Sequence, residues 1–159
     1  MFVIKKVAVI ILLVVIVCGA AVILWWNIPS NINVEYTGIQ YDVDAKATEQ
    51  VNIKIDGNLY RDDVFKGKIV IDSIELTKEY DMIPFRFDTR IMDGRGTLAY
   101  TTVIDGEPIL KMVGTIKSND DFSEVYITTN REETKKDLII AAPANNLEEF
   151  NKIKQEMEK

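Results

Sequence analysis

Residues 7–26 constrain this chain more than any other stretch. They read VAVIILLVVIVCGAAVILWW, carry no charge, and depart from apolar types only at Gly19. A helix rises about 1.5 Å per residue, so a segment of this length reaches about 30 Å, the thickness of a bilayer's hydrocarbon core. A helix also satisfies its own backbone hydrogen bonds, as lipid demands. Lys5 and Lys6 precede the run, whereas Glu35, Asp42 and Asp44 come before Lys46, the first base after it. Positive flanks stay cytoplasmic. The expected arrangement is therefore a cytoplasmic stub over residues 1–6, a transmembrane anchor from Val7 to residue 26, and the rest outside. Trp25 and Trp26 fall at the outer interface, which suits an amphipathic indole. Asn27 and Pro29 end the helix.

Two processing routes compete with an uncleaved anchor. Cys18-Gly19-Ala20-Ala21 offers the small residues a signal peptidase needs, but cleavage there leaves Val22-Ile23-Leu24-Trp25-Trp26 as an apolar mature end. A lipoprotein signal places a small residue just before the lipidated cysteine, and Val17 stands there instead. The expected protein is a single-pass cell-membrane protein held by this one helix.

The 159 residues include 19 Lys plus Arg, 25 Asp plus Glu, no His and a single Cys. Without His, a Ser-His-Asp triad and the usual His/Cys zinc site are excluded, and one cysteine forms no internal disulfide. Lys5 and Lys6 set aside, the outer part is acidic. Nucleic acid and anionic lipid both require basic patches, so no nucleic-acid partner is expected. An exported domain free of disulfides fits a Gram-positive bacterium better than a small secreted eukaryotic module.

Beyond the anchor, period-two alternation dominates. Ile32, Val34 and Tyr36 alternate with polar residues, as do Val51, Ile53 and Ile55; Phe85, Phe87 and Ile91 share a face, and so do Leu98, Tyr100 and Ile104. Between Ile69 and Leu76 the alternation slips near Ser73, which suggests a bulge. Asp56-Gly57, Asp93-Gly94 and Asp105-Gly106 are turn pairs, because Gly adopts positive φ freely and Asp tolerates it. The clearest hairpin spans residues 97–116 around Asp105-Gly106-Glu107-Pro108, and a further strand covers 122–128. Leu138-Ile139-Ile140-Ala141-Ala142 is continuously apolar, as a strand covered on both faces requires. Pro143 stops it. Asn145 or Asn146 then caps a helix over 146–158 whose Leu147, Phe150, Ile153 and Met157 form one apolar stripe. The fold class is mainly β: juxtamembrane chain and first strand over 27–47, then an antiparallel β-sandwich or small barrel over 48–159, closed by the C-terminal amphipathic helix.

The densest oxygen-ligand cluster is Asn119, Asp120 and Asp121 with Glu124 nearby. Hard cations such as calcium bind such groups, yet the spacing does not match an EF-hand, and the favoured reading is a polar turn bonding its own backbone. Carboxylate pairs suit glycoside hydrolysis in principle, but nothing selects a pair among 25 acids. Ser-x-x-Lys does not occur beyond the anchor, and Gly94-Arg95-Gly96-Thr97 lacks the fuller motif that phosphate binding needs. Tyr60, Phe65, Tyr80, Tyr100 and Tyr126 read as packing residues. No catalytic residue and no cofactor are expected.

Three short stretches carry a resemblance: Phe65-Lys66-Gly67-Lys68-Ile69-Val70-Ile71-Asp72, then Gly114-Thr115-Ile116 with Asp121-Phe122, and Ile139-Ile140-Ala141-Ala142-Pro143-Ala144-Asn145. In them the chain resembles small, uncharacterised membrane-anchored proteins of Gram-positive bacteria of the Bacillus and Clostridium type. The resemblance implies an anchor with an extracytoplasmic β-rich domain and brings no activity with it. The expected function is a non-catalytic protein-interaction module of the cell envelope, its partner another envelope protein. A small-ligand or calcium-type metal-ion binding domain is the alternative, and a carboxylate-based hydrolase comes third.

Overall fold

The computed structural model describes residues 13–20, 22, 28–87, 94–119 and 121–158. Residues 13–20 are helical and exposed. Most of the expected anchor, including Lys5, Lys6, Val7, Trp25 and Trp26, lies outside the described residues. Among the described residues no helix is long and apolar enough to cross a membrane.

From Ser30 onward the chain forms one antiparallel sheet, curled into a half-barrel, and not two facing sheets. Its strands are β1 (Ser30–Asp42), β2 (Ala47–Leu59), β3 (Val64–Ile71), β4 (Asp81–Met82), β5 (Phe85–Arg86), β6 (Arg95–Ile104), β7 (Glu107–Ser118), β8 (Val125–Thr129) and β9 (Leu138–Ala142). In the sheet they follow the order β4-β6-β7-β8-β9-β1-β2-β3-β5. The two edge strands are consecutive in the chain. The segment from Asp81 to Phe87 therefore crosses from one edge to the other: Ile83 N–H donates to Ala99 O (2.8 Å) and Phe87 N–H to Asp63 O (3.0 Å). The edges come so close that a Cβ on Gly96 would strike the Phe85 ring.

Alternation works as expected where one face is covered. Val51, Ile53 and Ile55 of β2 point inward, and Ile69 and Ile71 of β3 stand opposite them. Tyr100 fills the interior and donates its hydroxyl to Ile69 O (2.7 Å), and burial raises its pKa. At one end of the half-barrel four rings pack together: Phe65 lies 5.0 Å from Phe122 and 5.6 Å from Phe85, with Phe87 5.1 Å from Phe85. Such contacts add to the area the rings bury.

The continuous apolar run proves to be the middle strand. In β9, Ile140 and Ala142 join the inner core while Ile139 and Ala141 face the C-terminal helix α3 (Leu147–Met157). The Asn146 side chain caps α3 by accepting from the Glu148 and Glu149 N–H groups (both 3.0 Å). Phe150, Ile153 and Met157 are buried, with Tyr41 of β1 6.4 Å from Phe150 ring to ring. Leu147, the fourth member of the expected stripe, is exposed instead.

Three local expectations are corrected. The slip near Ser73 is no bulge: β3 ends at Ile71, and the buried Ile74 opens a short helix α1 (Glu75–Glu79). Thr77 closes that end, accepting from Ile71 N–H (2.9 Å) and donating to Ile74 O (2.7 Å). The register shift lies in β6–β7, between Leu98 and Ala99. Asp56-Gly57 is not a turn but sits mid-strand in β2, where a Cβ at Gly57 would lie 2.7 Å from the Phe65 ring and 2.6 Å from Lys66 O. The strand expected from residue 122 begins at Val125, because Phe122 takes φ +57° and turns its ring into the core. The Asp105-Gly106 hairpin forms as expected, with φ of +53° and +85°, and Asp93 lies outside the described residues.

Candidate functional site

The half-barrel has unlike ends. Strand β1 runs from Ser30 at the aromatic end to Asp42 at the other, and the even-numbered residues from Ile32 face inward. The inward stripe is apolar until Gln40 and Asp42, both buried polar residues. On β2 the same face continues past Val51 to Glu49, paired with Gln40, and Ala47, paired with Asp42. The interior thus turns polar at the Asp42 end.

A cleft of about 490 Å³ opens there, lined by Gln40, Glu49, Ser73, Ile74, Lys136 and Leu138 among others. The start of α1 forms one wall, and the short helix α2 (Arg131–Thr134) with the chain into β9 forms another. Ser73 donates its hydroxyl to Gln40 Oε1. Asp42 Oδ1 accepts from the Ala45 N–H (3.0 Å) and the Asp44 N–H (3.1 Å), and its Oδ2 pairs with Lys136 Nζ (3.2 Å). The Ala45 amide, helped by Lys136, holds the Asp42 carboxyl below the usual carboxylate range. Lys111 reaches from the inner face of β7 to Glu133 (2.9 Å), and Arg131 pairs with Asp44 and with Asp137 (3.5 Å).

A general acid needs a carboxyl whose pKa is raised. Among the described residues the carboxyls with a displaced pKa, Asp42, Asp121 and Glu149, are lowered, chiefly by backbone N–H donors.

The second feature is the β6–β7 hairpin. Strand β8 ends at Thr129, opposite Gly114, so from Glu107 to Met112 β7 is paired with β6 alone among the described residues. On the other edge β4 stops at Asp81, opposite Thr101. The projecting hairpin buries Tyr100 and turns Lys111 inward. Its opposite face carries Val103 at 68% exposure, Leu110 at 60% and Met112 at 50%. Ile83, beside Ala99, extends the same face.

The expected metal cluster is a polar loop in its described part. Asn119 Oδ1 accepts from Glu124 N–H (3.0 Å), its Nδ2 donates to Ser123 (2.7 Å), and Asp121 accepts from Ser123 N–H (3.0 Å). Those bonds hold the bend that drives Phe122 into the core. Asp120 lies outside the described residues, and among the described residues no group of three His, Cys, Asp or Glu stands ready for a metal ion.

The bare hairpin face was not anticipated from sequence, although a signal exists. Val103-Ile104 and Ile109-Leu110 place apolar residues on both faces of a two-stranded ribbon. Asp42 and Lys136 meet only through the β1–β9 pairing, which spacing along the chain does not reveal. No protein-family model, no curated protein and no solved structure matches the chain.

Proposed function

We propose that this chain is a single-pass protein of the cell envelope, anchored by residues 7–26 with its N-terminus cytoplasmic, and that its outer domain is a non-catalytic interaction module. The bare apolar face of the β6–β7 hairpin carries the reading. Val103, Leu110 and Met112 stand exposed side by side, and contiguous exposed apolar surface marks contact sites. The anchor supports it by concentrating the domain among other membrane-bound chains, where weak contacts count. A Gram-positive envelope is part of the same proposal.

The test is a photo-crosslinking side chain placed at Leu110 or, as control, at the exposed Lys54 of β2, in full-length protein expressed in its own host. A discrete adduct from 110 and none from 54 supports the module. No adduct, or the same adducts from both, overturns it. External protease on intact cells tests topology: digestion of the domain supports the orientation, and full protection overturns it.

A small-ligand site is the second reading, and the cleft favours it, since about 490 Å³ falls within the usual range for small-molecule sites. Protection of Glu49 and Ser73 amides from hydrogen exchange by a screened metabolite, lost in Ser73→Trp, supports that reading.

A further inference from the structure

The sequence places Trp26 at the end of the apolar run, and the sheet begins at Ser30. Four Cα steps span at most about 14 Å. If residues 7–26 cross the bilayer, the Ser30 end of the half-barrel stays within about 14 Å of the hydrocarbon edge, in or just above the headgroups.

Strand directions then fix what lies at each end. Residues Leu59–Phe65 lie at the Ser30 end through the β1–β2 and β2–β3 pairings, and Phe122 joins them by stacking 5.0 Å from Phe65. The loop from Asn119 to Glu124 therefore lies at the membrane end. The antiparallel relay β1–β9–β8–β7 puts Thr129 and Gly114 at the Asp42 end, and Glu107 beyond them. The 13 residues of β1 extend about 40 Å, or about 30 Å along the axis at a usual barrel tilt.

We infer that the domain stands on the membrane with its Ser30 end down, so that the bare face of the β6–β7 hairpin is held clear of lipid and receives a second protein, apolar at the centre of its contact and basic at its rim. This rests on the anchored reading above. Lipid is the wrong occupant for two reasons. The face sits at the far end, and the charged residues beside it there, among the described ones, are acids: Asp81 on the same face of β4, and Asp105 and Glu107 at the hairpin tip, Glu107 on the inner side with Lys111, which turns toward Glu133. Anionic headgroups are repelled by such a rim, whereas a basic one is steered to it.

The experiment places a single cysteine at Ser123 or at Glu107 in full-length Cys18→Ser protein, labels it with a fluorescent donor, and reconstitutes the protein in vesicles of phosphatidylcholine and phosphatidylglycerol carrying a headgroup acceptor. Loss of most donor emission at 123 and little at 107 is expected. Equal loss at both, or greater loss at 107, overturns the upright placement while the anchor stands. Release of the protein by alkaline carbonate overturns the anchored reading itself. In cells, adducts from a crosslinker at 110 are expected to run as protein conjugates that Asp105→Lys/Glu107→Lys weakens several-fold. Lipid adducts, or protein adducts insensitive to the charge reversal, overturn the assigned occupant.

Discussion

The two long hairpins of this sheet are built alike and covered differently. In β1–β2 the inner face of β2 is Val51, Ile53 and Ile55, all buried, and its outer face is Asn52, Lys54 and Asp56, all exposed. In the far half of β6–β7 the outer face carries Val103, Leu110 and Met112, and none of the described residues covers it. Water tolerates the first pattern at no cost, whereas the second exposes apolar area that burial would reward with roughly 25 cal/mol per Å². The contrast separates apolar residues the fold requires from apolar residues it leaves over.

That contrast is tested most sharply by matched truncations. Ile55→Ala removes a fully buried side chain and should cost about 3 kcal/mol. Leu110→Ala should change stability by less than about 0.5 kcal/mol. Chemical denaturation of the domain measures both, and equal losses would break the distinction between the hairpins. Between these lies the cap of α3: Asn146→Ala leaves the Glu148 and Glu149 amides without their acceptor and should cost about 1 kcal/mol. A loss as large as that of Ile55→Ala would mean the helix holds the sheet more firmly than its single apolar stripe implies.

Acid sharpens the comparison from the polar side. The folded-state pKa of Asp42 is depressed, first by the Ala45 amide and with help from Lys136. Its stabilisation is therefore full above the unfolded value of about 3.9 and is lost as pH falls through the lower folded value. Asp42→Asn should remove part of that acid-limb slope and leave stability flat between about pH 5 and 7. An unchanged slope in denaturation curves below pH 4 would show the turn after β1 to be held by other contacts. The smallest stability effect is expected from Val103→Thr/Met112→Gln, which should leave the melting curve in place while weakening capture of any hairpin partner.

How much of this was legible in the sequence follows from how local each signal is. The Asp105-Gly106 turn, the Asn146 cap and the doubly covered run at Leu138–Ala142 each rest on a few adjacent residues. Asp56-Gly57 has the same turn chemistry and misleads, because its glycine is demanded by the Phe65 ring and the Lys66 carbonyl on the neighbouring strand. Ile74 misleads in the same way: its burial under α1 looks from sequence like one more strand position. Alternation reports that a strand has two faces without saying which face the rest of the chain will cover, so Val103-Ile104 and Ile109-Leu110 signal apolar residues on both faces of the ribbon without saying which face stays bare. The cleft joins Gln40, Glu49, Ser73 and Lys136 from four parts of the chain, and only strand order brings them together.

Strand β9 is the last strand made and the central one in the sheet, with β1, β2, β3 and β5 on one side and β8, β7, β6 and β4 on the other. During synthesis the two halves emerge in turn, and among the described strands none joins β8 to β1 until Leu138–Ala142 arrives. Contacts between sequence-distant strands form slowly. A nascent chain would thus display two open sheet edges, on β8 and β1, until Leu138–Ala142 had been made. A chain ending at Asp137 should stay open to protease throughout, although it keeps eight of the nine strands.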